Sequence, residues 1–121
     1  SAKLNGSVLE LVSHASYANW VEAPQSVIKG QLVATDGSST VDLAVAKVDQ
    51  YNYKFSVDES KLLTGKQYRF MVNVDGKVEQ SWNGSKALPT TMKVTGKEIV
   101  PVLEGTRIAF KVNAVDKGIS T

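Results

Sequence analysis

Leu62 to Lys77 reads LLTGKQYRFMVNVDGK and contains a corner, a buried strand and a tight turn in one run. Tyr68, Phe70, Val72 and Val74 alternate with Gln67, Arg69, Met71 and Asn73, so the period of two gives the strand one apolar and one mostly polar face. Asp75-Gly76 supplies the two positive-φ positions of a type I′ turn, and Lys77 to Trp82 (KVEQSW) returns with the same alternation. The stretch is a β-hairpin, and it fixes the period by which the rest of the chain is read.

Working towards the N-terminus, YNYKFSV has Tyr51, Tyr53, Phe55 and Val57 on one face against Asn52, Lys54 and Ser56. Val41 to Val48 alternates in the same way, with Val41, Leu43 and Val45 opposite Asp42, Ala44 and Ala46. Ser26 to Ala34 is a strand with Gly30 at its centre, which marks a bulge or a close backbone approach. Val8 to Val12 is a short strand at the sheet edge or the start of the fold, and Ser13 to Gln25 breaks the alternation. Towards the C-terminus, Thr91–Thr95, Lys97–Leu103 and Thr106–Val115 are strands, with Pro101 confining the second to an edge or bulge. No segment carries a helical period over ten residues. Eight or nine strands at this spacing argue an all-β, antiparallel two-sheet sandwich or a barrel.

An internal echo relates Leu63-x-Gly65-x-x-Tyr68-x-Phe70-x-Val72-Asn73 to Leu103-x-Gly105-x-x-Ile108-x-Phe110-x-Val112-Asn113. We read it as one local solution used twice: a leucine plug, a glycine for the corner, then an alternating strand.

The 121 residues suffice for a single module, 1–121, with its own core. No apolar run approaches the roughly 20 residues that cross a bilayer, so membrane insertion is not expected. The chain has no initiator Met and no basic-then-apolar leader, and reads as a mature or excised segment. Its formal charge is +2, and twelve of its fourteen basic residues are dispersed lysines; only Arg69 and Arg107 offer guanidinium forks. Nucleic acid, which wants a basic stripe, is therefore not an expected partner. The lack of Cys removes disulfides, thiol catalysis and cysteine-ligated metals.

Leu62-x-x-Gly65-x-x-Tyr68 before an alternating strand resembles the tyrosine corner of fibronectin type III and bacterial immunoglobulin-like modules. YNYKFSVDESKLLTGKQYRFMVNVDG is similar to the middle of such bacterial modules, and LEGTRIAFKVNAVDKG to the same region with Ile108 in place of the Tyr. The resemblance implies a two-sheet β-sandwich whose Tyr68 hydroxyl bonds back to backbone near the corner. It further implies a non-catalytic part of a secreted or surface-attached bacterial protein, extracellular, with neighbouring domains in a larger chain. Spacers, adhesion domains and carbohydrate-binding modules all belong to that class.

Catalytic signals are thin. His14 is the lone His, and Ser13 and Ser16 beside it do not make a triad. Asp36, Asp42, Asp49, Asp58, Glu59 and Asp75 each stand in or beside a turn, where Asp is favoured for backbone reasons alone. Asp58 and Glu59 are the nearest approach to a calcium cluster, without a D-x-D-x-D-G loop. No cofactor is expected.

Trp20 and Tyr17 lie in a polar loop, and Trp82 stands where a strand gives way to Asn83-Gly84. An exposed indole stacks on the apolar face of a sugar while neighbouring amides bond its hydroxyls. The expected ligand is a polysaccharide or cell-surface glycan, with Trp20 and Trp82 as platforms and Tyr17, Asn83 and Gln80 as supports. The competing reading buries both indoles, Trp82 completing the core face after Val78 and Gln80, and makes the chain a structural spacer or adhesion module.

Overall fold

The computed structural model describes residues 2–14, 27–49, 52–81, 90–94 and 96–115. Among them the fold is all-β and antiparallel, with ten strands rather than eight or nine. In chain order these are β1 Ala2–Asn5, β2 Val8–His14, β3 Ile28–Ala34, β4 Thr40–Lys47, β5 Asn52–Asp58, β6 Gln67–Val74, β7 Lys77–Gln80, β8 Met92–Val94, β9 Lys97–Glu104 and β10 Arg107–Ala114. The extra strand is β1. Its AKLN carries no β-branched residue, and it pairs with β2 through a two-residue turn whose first position is Gly6 at φ 61°. β2 is consequently not an edge strand, and its pairing with β5 runs to His14, past the expected end at Val12.

Hydrogen bonding follows the order β1-β2-β5-β4-β3-β6-β10-β9-β8, with β7 attached to β6. The sheet coils until its end strands β1 and β8 come into contact, so the arrangement is nearly a barrel. β4 makes the bend. Residues 40–43 pair with β3 and residues 44–47 with β5, so one strand serves two halves of the sheet. β6 shares an edge in the same manner, pairing with β10 over Gln67–Arg69 and with β7 over Met71–Val74. Where β7 and β10 part, the Ser81 N–H donates to Phe70 O at 2.7 Å and the Ser81 carbonyl accepts from Ile108 N at 2.9 Å.

The alternating faces form the core: Leu9, Leu11, Leu32, Phe55, Leu62, Tyr68, Phe70, Ile99, Phe110 and Val112 are each exposed by 3% or less. Phe55 and Phe70 meet edge to face with ring centroids 5.1 Å apart, an arrangement favoured by the ring quadrupoles. Gly30 is a close approach. A Cβ there would run into the Phe55 ring and lie 3.3 Å from Leu43 Cδ1. Pro101 pairs with Phe110 beyond the reach of β8, which covers only Lys97–Ile99 of β9, so its missing N–H interrupts no ladder.

At the corner, Asp58 caps a single 3-10 turn, Glu59–Lys61, by accepting from Ser60 N at 3.0 Å. The Tyr68 hydroxyl then accepts from the Leu63 N–H at 2.9 Å. Lys97 Nζ closes the other side, donating to Glu59 O and Leu62 O at 2.9 and 2.8 Å and pairing with Glu59 Oε2 at 3.0 Å. The echo needs one correction. Its glycines do adopt positive φ, 85° at Gly65 and 66° at Gly105, but its leucines are not plugs: Leu63 and Leu103 are 51% and 44% exposed, and Leu62 fills the corner.

Candidate functional site

Asp75 at φ 53° and Gly76 at φ 93° make the expected β6–β7 turn, and this hairpin sets the outward face of β7. Paired residues in an antiparallel ladder point to one side. Val78 lies opposite Asn73 and Gln80 opposite Met71, both outward on β6. The competing reading's core face through Val78 and Gln80 therefore gives way: Val78 is half exposed, because its register puts it on the side away from Tyr68, Phe70 and Val72.

These outward positions line a groove of about 530 Å³ bounded by Lys29, Gly30, Gln31, Asp42, Leu43, Val45, Met71, Asn73 and Val78. It follows directly from the strand exchange. β4 leaves β3 after Leu43, and the two strands separate beside Gly30. Two cross-strand rows run through it. One is Asp42–Gln31–Met71–Gln80 and the other Lys29–Asn73–Val78, each read from consecutive register pairs. Gln31 Nε2 donates to Asp42 Oδ1 at 2.8 Å, and Asn73 Oδ1 accepts from Gly76 N at 2.7 Å. Among the described residues the Asp42 Oδ2, the Gln31 side-chain oxygen and the Asn73 NH2 make no further hydrogen bond, and Met71 and Val78 line the same groove.

Gln80 continues the Met71 row onto β7 without lining the groove, and its amide is already committed. Its Nε2 donates to Glu104 Oε1 at 2.9 Å and to Ile108 O at 3.1 Å. Glu104 also accepts from Gln67 Nε2 and Arg69 Nε, both at 2.7 Å, while Arg107 Nη1 donates to Gln80 O at 2.8 Å. Partial burial pushes the Glu104 carboxyl up, but hydrogen bonds from Gln80, Arg69 and Gln67 together with the Arg69 charge outweigh it and hold the group below its ordinary range. Such a group stabilises the fold above its unfolded pKa, near 4.3 for Glu, and the contribution is lost as pH falls through the lower folded value. Glu104→Gln is therefore expected to lower the melting temperature at pH 7, with the gap to wild type narrowing below about pH 4.3. A gap that stays constant down to pH 3 would show that the carboxylate charge contributes nothing.

Tyr17, Trp20, Trp82 and Asn83 lie outside the described residues; of the expected glycan contacts, only Gln80 is described. The turn aspartates do serve the backbone. Asp36 accepts from Ser38 N at 2.9 Å, Asp49 from Asn52 N at 3.0 Å and Asp75 from Val27 N at 2.6 Å. Bonds from Lys66 and Ser38 hold Asp36 well below the usual carboxylate range, and bonds from Ser60 and Ser7 lower Asp58. Asp42 departs from this pattern, since it lies within β4 and faces the groove. Among the described residues, no three His, Cys, Asp or Glu side chains gather as a metal site.

No family model matches the chain, and no curated protein matches it. A solved structure does: the crystal structure of S. aureus TarS 217-571 superposes with a TM-score of 0.67 at 11% identity, over 96% of this chain and 38% of that one. At that identity the likeness concerns the fold alone. This chain thus spans about two fifths of the longer fragment it resembles.

Proposed function

We propose that the chain is a non-catalytic module, a two-sheet immunoglobulin-like or fibronectin type III-like sandwich, that binds carbohydrate in an extracellular bacterial protein, secreted or attached to the surface. The Tyr68–Leu63 corner bond supports the sandwich reading, because it is the contact the resemblance implies. A fold that matches 38% of a longer solved chain supports a module with neighbouring domains.

The observation that carries the binding reading is the groove lined by residues of β3, β4, β6 and β7. It combines an apolar floor, Met71 and Val78, with amide, carboxylate and ammonium groups at its sides, and a saccharide presents the matching mixture of C–H faces and hydroxyls. Trp82 follows Gln80 by two residues in the chain, and with Trp20 it is the stacking platform of this proposal, Tyr17 and Asn83 assisting. The carboxylates favour binding over catalysis: Glu104, Asp58 and Glu59 are tied into the network, cap and ion pair described above.

The test is a titration of soluble polysaccharides followed by tryptophan fluorescence, with affinity electrophoresis for confirmation. A saturable change in emission is expected, reduced at least tenfold in apparent affinity by Trp82→Ala or Trp20→Ala. If no glycan shifts the emission or retards the protein, the spacer or adhesion reading takes its place.

A further inference from the structure

The two rows of the groove differ in kind. Lys29 and Asn73 are register partners, and together they present donors: an exposed ammonium and the NH2 of an amide whose oxygen is held by Gly76 N. The Lys29 ammonium makes no hydrogen bond or ion pair among the described residues. Asp42 and Gln31, also register partners, present acceptors, because the Gln31 NH2 is spent on Asp42 Oδ1, while the Gln31 side-chain oxygen and Asp42 Oδ2 make no hydrogen bond among the described residues. Lys29 and Gln31 are two residues apart on one face of β3, so the rows lie about 6.8 Å apart along the strand direction. That is comparable to the distance between the carboxylate of a hexuronic acid and the hydroxyls on the far side of its ring.

From this we infer that the groove selects an anionic saccharide, and binds it in one orientation. The carboxylate of the sugar lies against Lys29 Nζ and the Asn73 amide, where the hydrogen bonds are charge-assisted. Ring hydroxyls donate to Gln31 and Asp42, and the C–H face rests on Met71 and Val78. Reversing the sugar would set its carboxylate against Asp42, and like-charge contact opposes that pose. A neutral sugar would leave the Lys29 row without an acidic partner. The inference rests on the glycan-binding reading and refines it.

The experiment compares polygalacturonate, its fully methyl-esterified form, dextran sulfate and dextran by calorimetry and affinity electrophoresis. The proteins are the whole chain and its Lys29→Gln, Lys29→Arg and Lys93→Gln variants; Lys93 is an exposed lysine on β8, far from the groove in strand order. Polygalacturonate is expected to bind at least tenfold more tightly than its ester. Lys29→Gln should abolish that preference, while Lys29→Arg and Lys93→Gln retain it. Equal binding of acid and ester, unchanged by Lys29→Gln, would overturn the inference and leave the glycan reading intact. A preference for every polyanion, lost equally in Lys93→Gln, would overturn it as diffuse electrostatic attraction. Failure of all four polymers, together with a broad neutral panel, would remove the glycan reading and this refinement with it.

Discussion

Phe55→Ala is expected to cost about 3–5 kcal/mol of stability, the usual range for emptying a fully buried aromatic site. For a chain of 121 residues the whole unfolding free energy is on the order of 6–18 kcal/mol, so one ring carries a large share. Phe55 is fully buried on β5, meets Phe70 of β6 edge to face, and fills the space that Gly30 of β3 leaves open. It therefore joins the two halves of the sheet across the core, at the level where β4 passes from one to the other. Its neighbours cannot close the cavity without moving β3 toward β5. Val48→Ala is the control, since Val48 is 55% exposed and such a change stays within about 0.5 kcal/mol. Urea unfolding of both variants is the measurement, and equal midpoints would contradict the core described above.

How much of this was legible in the sequence depends on which force decides each feature. Period-two alternation is a strong local signal, so the faces of β4, β5 and β6 followed from their residues, as did the Asp75-Gly76 turn and the close approach at Gly30. β1 was missed because four residues with no β-branched side chain carry little propensity; its pairing depends on Gly6 and on the Leu9 and Leu11 face of β2. The competing reading's core placement of Val78 failed for a different reason. An apolar residue at an alternating position suggests core, but the hairpin register, set by the turn, assigns it to the outer face. The groove had no local signature at all. Lys29, Gln31, Asp42, Met71 and Asn73 come from three strands, and only the exchange of β4 between partners makes them neighbours. Polar outward positions flanking a strand glycine are the nearest thing to a sequence trace of it, and most such positions on other strands are ordinary solvent-facing surface. The Asp42 assignment to a turn failed on the same ground, since its role is set by pairing with Gln31 across the ladder.

Gly30→Ala isolates the close approach on which both core and groove depend. Gly30 is not among the positive-φ glycines, so alanine meets no backbone strain there, and the smaller unfolded-state entropy would by itself favour the variant by about 0.4–1 kcal/mol. Packing opposes this. The new Cβ would collide with the ring of Phe55, a fully buried side chain with no room to retreat, and overpacking of that kind costs about 1–3 kcal/mol. We expect net destabilisation of about 1–2 kcal/mol, the overpacking cost less the entropy gain. The steric origin makes a sharper demand. In a Phe55→Leu background, where the edge of the ring is gone, Gly30→Ala should become neutral or stabilising, giving a coupling of about 1 kcal/mol or more in a double-mutant cycle. Additive effects, or stabilisation in the wild-type background, would mean that β3 and Phe55 are not in contact. Because Lys29 and Gln31 flank Gly30, the displacement should also reach the groove, weakening saccharide binding in the wild-type background and sparing it beside Leu at position 55.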